Sequence, residues 1–126
     1  MKTFLIDAVG CLFSESWVLN NELYEVLEKF SNRKIIVTGA NKEQMIQFGL
    51  TSSPYEVFSL AHDPEKSDPK YFSLLLKYHN LVASEVLYIE HALKATQSAE
   101  SLGITSHLYN WDAESVAHFL QTHLSK

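Results

Sequence analysis

The sequence predicts a three-layer α/β/α protein, in which helices cover both faces of a five-stranded parallel sheet. The first observation is that short apolar runs alternate five times with segments whose apolar residues recur at helical spacing. The second is that regular alternation of strand and helix is typical of parallel sheets in Rossmann-like folds. The third is a globular composition, with 46% apolar and 20% charged residues.

Length and composition limit the class of protein. A chain of 126 residues without repeats or linkers predicts one domain spanning residues 1–126. The net charge of -5, with no cluster of Lys or Arg, argues against a nucleic-acid partner. A single cysteine, Cys11, cannot form an internal disulfide, and no apolar run is long enough to cross a bilayer. We therefore expect a cytoplasmic protein that does not enter the membrane.

The first predicted strand ends in an acid. Residues 4–6 are apolar, Asp7 follows them, and Gly10 interrupts the extended pattern. In open α/β sheets, ligands bind at the carboxyl ends of the strands. Asp7 is therefore predicted to lie at the centre of a phosphate-type active site.

The remaining elements are predicted from β-branched runs, helix caps and apolar stripes. The later strands are predicted at residues 34–38, 55–60, 86–89 and 104–108. Helix starts are predicted at Asn20 or Asn21, at Asn41 with Gln44, at Asp68 with Pro69, and at Asp112; Gly49 and Gly103 are predicted ends. The predicted inner stripes are Leu23, Val26, Leu27 and Phe30; Met45, Ile46 and Phe48; Phe72, Leu75, Leu76 and His79; Ala92, Ala95, Ala99 and Leu102; and Val116, Phe119, Leu120 and Leu124.

Several reactive side chains are predicted to meet at the carboxyl edge of the sheet. The first two strands end in Asp7 and Thr38, Glu90 and His91 follow the fourth, and Lys66 lies in the loop after the third. This set is suited to phosphoryl transfer. The first carboxylate attacks, the hydroxyl and ammonium groups hold the phosphoryl oxygens, and the second acid helps to bind a divalent cation.

Four segments resemble, in order, the motifs of the haloacid dehalogenase (HAD) superfamily of hydrolases. The first, Asp7-Ala8-Val9-Gly10-Cys11-Leu12, is similar to Asp-x-Asp-Gly-Thr-Leu, and the second, Ile35-Ile36-Val37-Thr38-Gly39, to a strand ending in Ser or Thr. The third, Lys66-Ser67-Asp68-Pro69, is similar to a Lys followed by Pro-Asp-Pro, and the fourth, Val86-Leu87-Tyr88-Ile89-Glu90-His91, to a strand followed by acids. The resemblance covers nearly the whole chain.

The resemblance implies a role for each matching residue. Asp7 would be the nucleophile, Thr38 a donor to a phosphoryl oxygen, and Lys66 the charge that steadies the aspartyl intermediate. Gly10 and Gly39, which lie within the same motifs, would contact the substrate.

The resemblance also implies a magnesium site. Its ligands would be Asp7, the Val9 carbonyl, Glu90 and His91, and Ala95 stands where a further acid is often found. Because magnesium prefers oxygen ligands and this set carries little negative charge, we expect weak binding or none.

The chain departs from the family at the second acid of the first motif. Val9 stands there and cannot transfer a proton. Dehalogenases and phosphonatases also lack that acid, but they carry a cap domain. About thirty residues separate Asp7 from Thr38, and about as many separate Thr38 from Lys66, too few for a cap. Dehalogenase activity needs a pocket that excludes water, so we expect it less than phosphatase activity.

Two functions follow from these features. One is a capless, magnesium-assisted phosphatase, weak or specialised, that acts on a small phosphorylated molecule or a phosphorylated macromolecule. The resemblance implies an open site, since capless members of the family act on large substrates or close the site by forming a homo-oligomer. The other is a catalytically impaired pseudoenzyme that serves as a binding or protein-interaction module. Val9 favours the second function, whereas Asp7, Thr38 and Lys66 favour the first.

The residues with proposed catalytic roles also fit purely structural roles. Asp7 and Thr38 also fit simple strand ends, Lys66 fits a solvated loop charge, and Glu90 and His91 fit caps of the next helix.

Four other side chains offer weaker evidence of function. His62 and Asp63, together with His91, lack the short ligand spacing of a transition-metal site. Cys11 fits a small packing residue, and Trp17 fits a hydrophobic anchor that borders the pocket.

Overall fold

A computed structural model describes residues 2–124 of the chain. Within them, five strands form one parallel sheet: β1 (Thr3–Asp7), β2 (Lys34–Thr38), β3 (Glu56–Ser59), β4 (Val86–Glu90) and β5 (Thr105–Leu108). Their order across the sheet is β3-β2-β1-β4-β5. The predicted α/β fold with a five-stranded parallel sheet is confirmed. The two edge strands, β3 and β5, are shorter than predicted, since each pairs with a single neighbour over four residues.

Five α-helices connect or follow the strands of the described chain: α1 (Asn21–Glu28), α2 (Lys42–Gln47), α3 (Pro69–His79), α4 (Leu93–Glu100) and α5 (Ala113–Leu124). All four predicted N-terminal caps are formed, including Asp112, which accepts from the backbone amides of Glu114 and Ser115 at the start of α5. Asn20 accepts from the Leu23 amide, Asn41 forms a capping box with Gln44, and Asp68 accepts from the Lys70 amide. No helix within residues 2–124 is long and apolar enough to span a membrane.

The helices bury the sheet on both faces. α1, α2 and α5 pack on the face that contains Phe4 and Ile6, and α3 and α4 pack on the face that contains Leu5. Alternate residues of β1 therefore enter different cores, as expected for a strand with a side-chain period of two. Because both faces are covered, β1 has no exposed residue and its acid is buried with it.

Two predicted inner stripes are wrong in detail. In α2, Ile46 is 63% exposed, because this helix has six residues and buries none of them. In α3, Tyr71 is fully buried, whereas His79 at the predicted inner position is only partly buried. The Tyr71 hydroxyl donates to the backbone carbonyls of Thr38 and Phe58, at 2.9 and 3.1 Å, so its polar end is satisfied inside the core.

The strand order places the predicted site at the centre of the sheet. From β1 the chain moves outward through β2 to β3, and then returns to pair β4 with the other side of β1. The sheet therefore reverses its winding between β1 and β4, where ligands bind in open α/β sheets. Asp7 and Glu90 end these two strands, and Thr38 ends the strand on the other side of β1.

Candidate active site

Asp7 lies at the carboxyl end of the central strand and is 3% exposed. Its two carboxylate oxygens have different partners. Oδ1 accepts a hydrogen bond from Lys66 Nζ, and Oδ2 accepts from His91 Nδ1 at 2.7 Å. Burial raises the pKa of Asp7, and the positive charge of Lys66 and the hydrogen bond from His91 oppose this rise.

Glu90 is the second acid of the site and is fully buried. It accepts from Lys66 Nζ at 2.8 Å, from the Tyr88 hydroxyl, and from the backbone amides of His91 and Ala92 at 3.0 and 3.1 Å. Burial alone would raise the pKa of Glu90, but the hydrogen bonds and the charge of Lys66 hold it well below 4.5. Glu90 therefore stays ionised, and its amide contacts also anchor the backbone before α4.

Lys66 connects the two acids from the loop that precedes α3. Its side chain is 16% exposed, so it is not a solvated loop charge. Burial by itself lowers the pKa of Lys66, but the charges of Asp7 and Glu90 outweigh burial and raise it. The loop is fixed nearby, because the Ser98 hydroxyl donates to the Ser67 carbonyl at 2.6 Å.

His91 approaches both acids from the side of the pocket. Its Nδ1 lies 2.7 Å from Asp7 Oδ2 and 3.1 Å from Glu90 Oε2. The hydrogen bonds to Asp7 and Glu90 raise the pKa of His91 to about 10. The ring lies against Gly10, where an added Cβ would come within 2.5 Å of it. Gly10 thus leaves room for His91, in addition to adopting a φ of +95°.

A cavity of about 270 Å³ adjoins these groups. Six predicted site residues line it: Asp7, Val9, Thr38, Gly39, Lys66 and His91. The Thr38 hydroxyl accepts from the Ala40 amide at 3.1 Å, which fixes it at the end of β2. Trp17 borders the cavity as expected, and it stacks on Phe48 with ring centroids 4.2 Å apart.

His62 is a further residue of the cavity wall. Its Nδ1 lies 2.7 Å from Glu65 Oε1, and its Nε2 lies 2.8 Å from Gln44 Oε1. The same Gln44 oxygen accepts from the Asn41 amide in the capping box of α2. His62 therefore faces Glu65 and Gln44, whereas His91 faces Asp7. In the sequence, the three-residue spacing of His62 and Glu65 is the only feature that indicates their contact.

The donor set around Asp7 does not fit a magnesium ion. Among residues 2–124, Asp7, Cys11 and His91 bring one ligand atom each within 4.8 Å of one another, which offers oxygen, sulfur and nitrogen. Magnesium prefers oxygen ligands in octahedral geometry. Burial also raises the pKa of the Cys11 thiol, so that sulfur is kept as a packed thiol rather than a thiolate. Both oxygens of Asp7 and both of Glu90 already accept hydrogen bonds.

No protein-family model and no curated protein matches the chain. Solved structures do match it. A HAD family enzyme from Bacteroides thetaiotaomicron, in complex with magnesium and inorganic phosphate, has a TM-score of 0.71 at 11% identity and covers 87% of this chain and 94% of its own. A HAD-superfamily hydrolase from Geobacter sulfurreducens has a TM-score of 0.65 at 12% identity and covers 84% of this chain and 85% of its own.

A HAD-superfamily hydrolase from Ehrlichia chaffeensis is similar along almost the whole length of both proteins. It has a TM-score of 0.60 at 14% identity and covers 98% of this chain and 99% of its own. At such low identity, the likeness concerns the path of the backbone. The chain therefore has the fold of the HAD-like hydrolases.

Proposed function

We propose that the protein is a HAD-like hydrolase that cleaves phosphate monoesters, with Asp7 as the nucleophile. The observation that carries this proposal is the contact of Lys66 with both Asp7 and Glu90 at the carboxyl edge of the sheet. The ammonium group neutralises charge where a phosphoryl group would approach Asp7. The adjoining cavity of about 270 Å³ is smaller than a drug-sized pocket, which supports a phosphoryl group on a small molecule or on a side chain of a macromolecule.

In the proposed reaction, a carboxylate oxygen of Asp7 attacks phosphorus, and the bond from phosphorus to the leaving oxygen breaks. The departing alkoxide takes a proton from water. A second water then attacks the phosphorus of the aspartyl phosphate, which releases inorganic phosphate and restores the carboxylate. Lys66 and the Thr38 hydroxyl hold the phosphoryl oxygens in both steps.

Val9 limits the rate of the proposed hydrolysis. It lines the same cavity as Asp7, at the position where the family has its general acid. Without that acid the leaving group departs unassisted, so a substrate with an acidic leaving group should react fastest. We expect an aryl phosphate to be hydrolysed well before an alkyl phosphate.

Magnesium is the cofactor that the resemblance implies, and the Bacteroides enzyme is in complex with it. In this chain the implied ligands are Asp7, the Val9 carbonyl, Glu90 and His91. Because their present contacts do not suit that ion, no step of the proposed reaction depends on it. Phosphatase assays with added magnesium and with a chelator compare the two conditions directly.

The test is phosphate release from para-nitrophenyl phosphate by the native protein and by Asp7→Asn. The substitution preserves size but removes the nucleophilic carboxylate, so we expect the activity to be lost. Val9→Asp restores an acid and should raise the rate by roughly 10²-fold or more. Equal rates for the native protein and Asp7→Asn would remove the proposed enzyme.

Val9 also supports a second candidate, a pseudoenzyme that keeps the scaffold for binding. In that case the native protein would bind inorganic phosphate in a calorimeter but would release none from the aryl ester. Asp7→Asn would then change affinity without changing turnover.

A further inference from the structure

The geometry points to His91 as the group that fills the place of a divalent metal in this site: we propose that its ring bridges Asp7 and Glu90 there, so that the pocket binds phosphate without a metal ion. The inference rests on the phosphate site proposed above and specifies what bridges its two acids. Four observations support it.

The first observation is the position of the ring. His91 Nδ1 lies between the two acids, 2.7 Å from Asp7 Oδ2 and 3.1 Å from Glu90 Oε2. The other oxygen of each acid contacts Lys66 Nζ. A group that bridges Asp7 and Glu90 is thus already part of the chain, on the oxygens that Lys66 does not contact.

The second observation is that each carboxylate oxygen of the two acids already has a side-chain partner. Lys66 Nζ contacts Asp7 Oδ1 and Glu90 Oε1, and His91 Nδ1 contacts Asp7 Oδ2 and Glu90 Oε2. Because carboxylate oxygens are the ligands that magnesium prefers, the ion would have to displace one of these two side chains.

The third observation is the space made for the ring. An added Cβ on Gly10 would lie 2.5 Å from both Cε1 and Nδ1 of His91. Since real Cβ contacts do not reach this distance, the ring occupies a place that only glycine allows.

The fourth observation is the remaining ring nitrogen. His91 lines the cavity that contains Asp7 and the neighbouring one of about 290 Å³. Among residues 2–124, no hydrogen bond is made by His91 Nε2, since its side-chain contacts run through Nδ1. Nε2 is therefore available to a phosphoryl group that enters the cavity.

The test measures metal binding and phosphate binding separately, on the full chain. Manganese, followed by electron paramagnetic resonance, serves as the probe for a divalent site, and zinc is titrated beside it. Inorganic phosphate is titrated by calorimetry, once with a chelator and once with excess magnesium. The proteins compared are the native chain, His91→Asp, His91→Gln and the control His118→Asp, which adds the same charge to an exposed position on α5.

We expect the native chain to bind no manganese and to bind phosphate with the same affinity in both buffers. His91→Asp should gain saturable manganese binding, at least roughly tenfold tighter than the detection limit that the native chain fails to reach, the scale on which single residues around a metal change its affinity. Its phosphate binding should then depend on magnesium. His91→Gln should lose phosphate affinity without gaining manganese, and His118→Asp should behave as the native chain.

Three results would overturn the inference. They are saturable binding of manganese or zinc by the native chain that His91→Gln weakens, native phosphate binding that disappears in chelator, and the lack of phosphate binding in both buffers. Native phosphate binding in chelator without ester hydrolysis would instead overturn the proposed hydrolase and leave this inference standing. If His91→Asp does not fold, as judged by circular dichroism, the native chain and His91→Gln still decide the question.

Discussion

At the scale of single residues, buried acids are held by specific donors. Tyr88 and Glu90 are two positions apart in β4, so their side chains lie on the same face of the strand. Both are fully buried, and the Tyr88 hydroxyl donates to Glu90. A buried carboxylate needs such donors, because each unpaired oxygen would carry the full cost of its desolvation.

Tyr88→Phe tests this contact. Removing the hydroxyl deprives a buried, ionised Glu90 of one donor, so we expect the free energy of unfolding to fall by about 1–3 kcal/mol. Urea denaturation measures the change. The control is Tyr78→Phe, at a side chain that is 76% exposed, which should stay within about 0.5 kcal/mol of the native protein. Equal effects of the two substitutions would contradict the assigned contact.

At the scale of elements, the residues that begin helices also position the loops of the site. The Asn20 oxygen accepts from the Leu23 amide at 3.2 Å and so caps α1. Its amide group donates to the Cys11 carbonyl at 3.1 Å and to the Tyr109 hydroxyl at 2.9 Å. Asn20 therefore ties the loop after β1, which follows Asp7, to the segment after β5.

A comparison of Asn20→Ala with Asn41→Ala separates the capping of a helix from the link between the two segments. Asn41 caps α2, and among residues 2–124 its hydrogen bonds stay within that helix, so its loss should cost about 1 kcal/mol of unfolding free energy. Asn20→Ala removes the cap and two tertiary hydrogen bonds, so it should cost about 2–4 kcal/mol. Chemical denaturation measures both. If Asn20→Ala costs no more than Asn41→Ala, the link between the two segments contributes nothing to stability.

At the scale of the whole molecule, the site makes stability depend on pH. The pKa of His91 is raised to about 10 and that of Asp7 is raised above 3.8, so both groups hold protons more tightly when the chain is folded. By linkage, the His91 contribution is complete below its ordinary value of 6.5 and is lost as the pH rises through about 10. Asp7 has the same sign, and its contribution is lost as the pH rises above 3.8.

We therefore expect the urea midpoint to fall from pH 7 to pH 9, an interval inside the range between the two His91 pKa values of 6.5 and about 10. His91→Gln should show a shallower fall, because it removes the group with the raised pKa. Glu90 affects stability at acidic pH. Its lowered pKa stabilises the fold above 4.5 and ceases to do so as the pH falls further. A native midpoint that rises over this alkaline interval would contradict the assignment.

Local patterns in the sequence predicted much of the architecture. The strand at residues 34–38 matches β2 residue for residue, and Asn41, Gln44 and Asp68 form the caps that their spacing predicted. Such features depend on neighbours in the chain, which is why a sequence reveals them. The exposed Ile46 and the partly buried His79 were misplaced and the buried Tyr71 was missed, since their environment depends on elements elsewhere in the chain.

The sequence by itself determined that Asp7, Thr38 and Glu90 end strands of one parallel sheet, because apolar runs and parallel winding place strand ends at one edge. Only the tertiary structure decided what surrounds them. Lys66 enters between two acids 59 and 24 residues away, and His91 bonds across 84 residues to Asp7. A periodic pattern in the sequence cannot predict such contacts, because they arise when side chains from separate elements compete for the same buried oxygens.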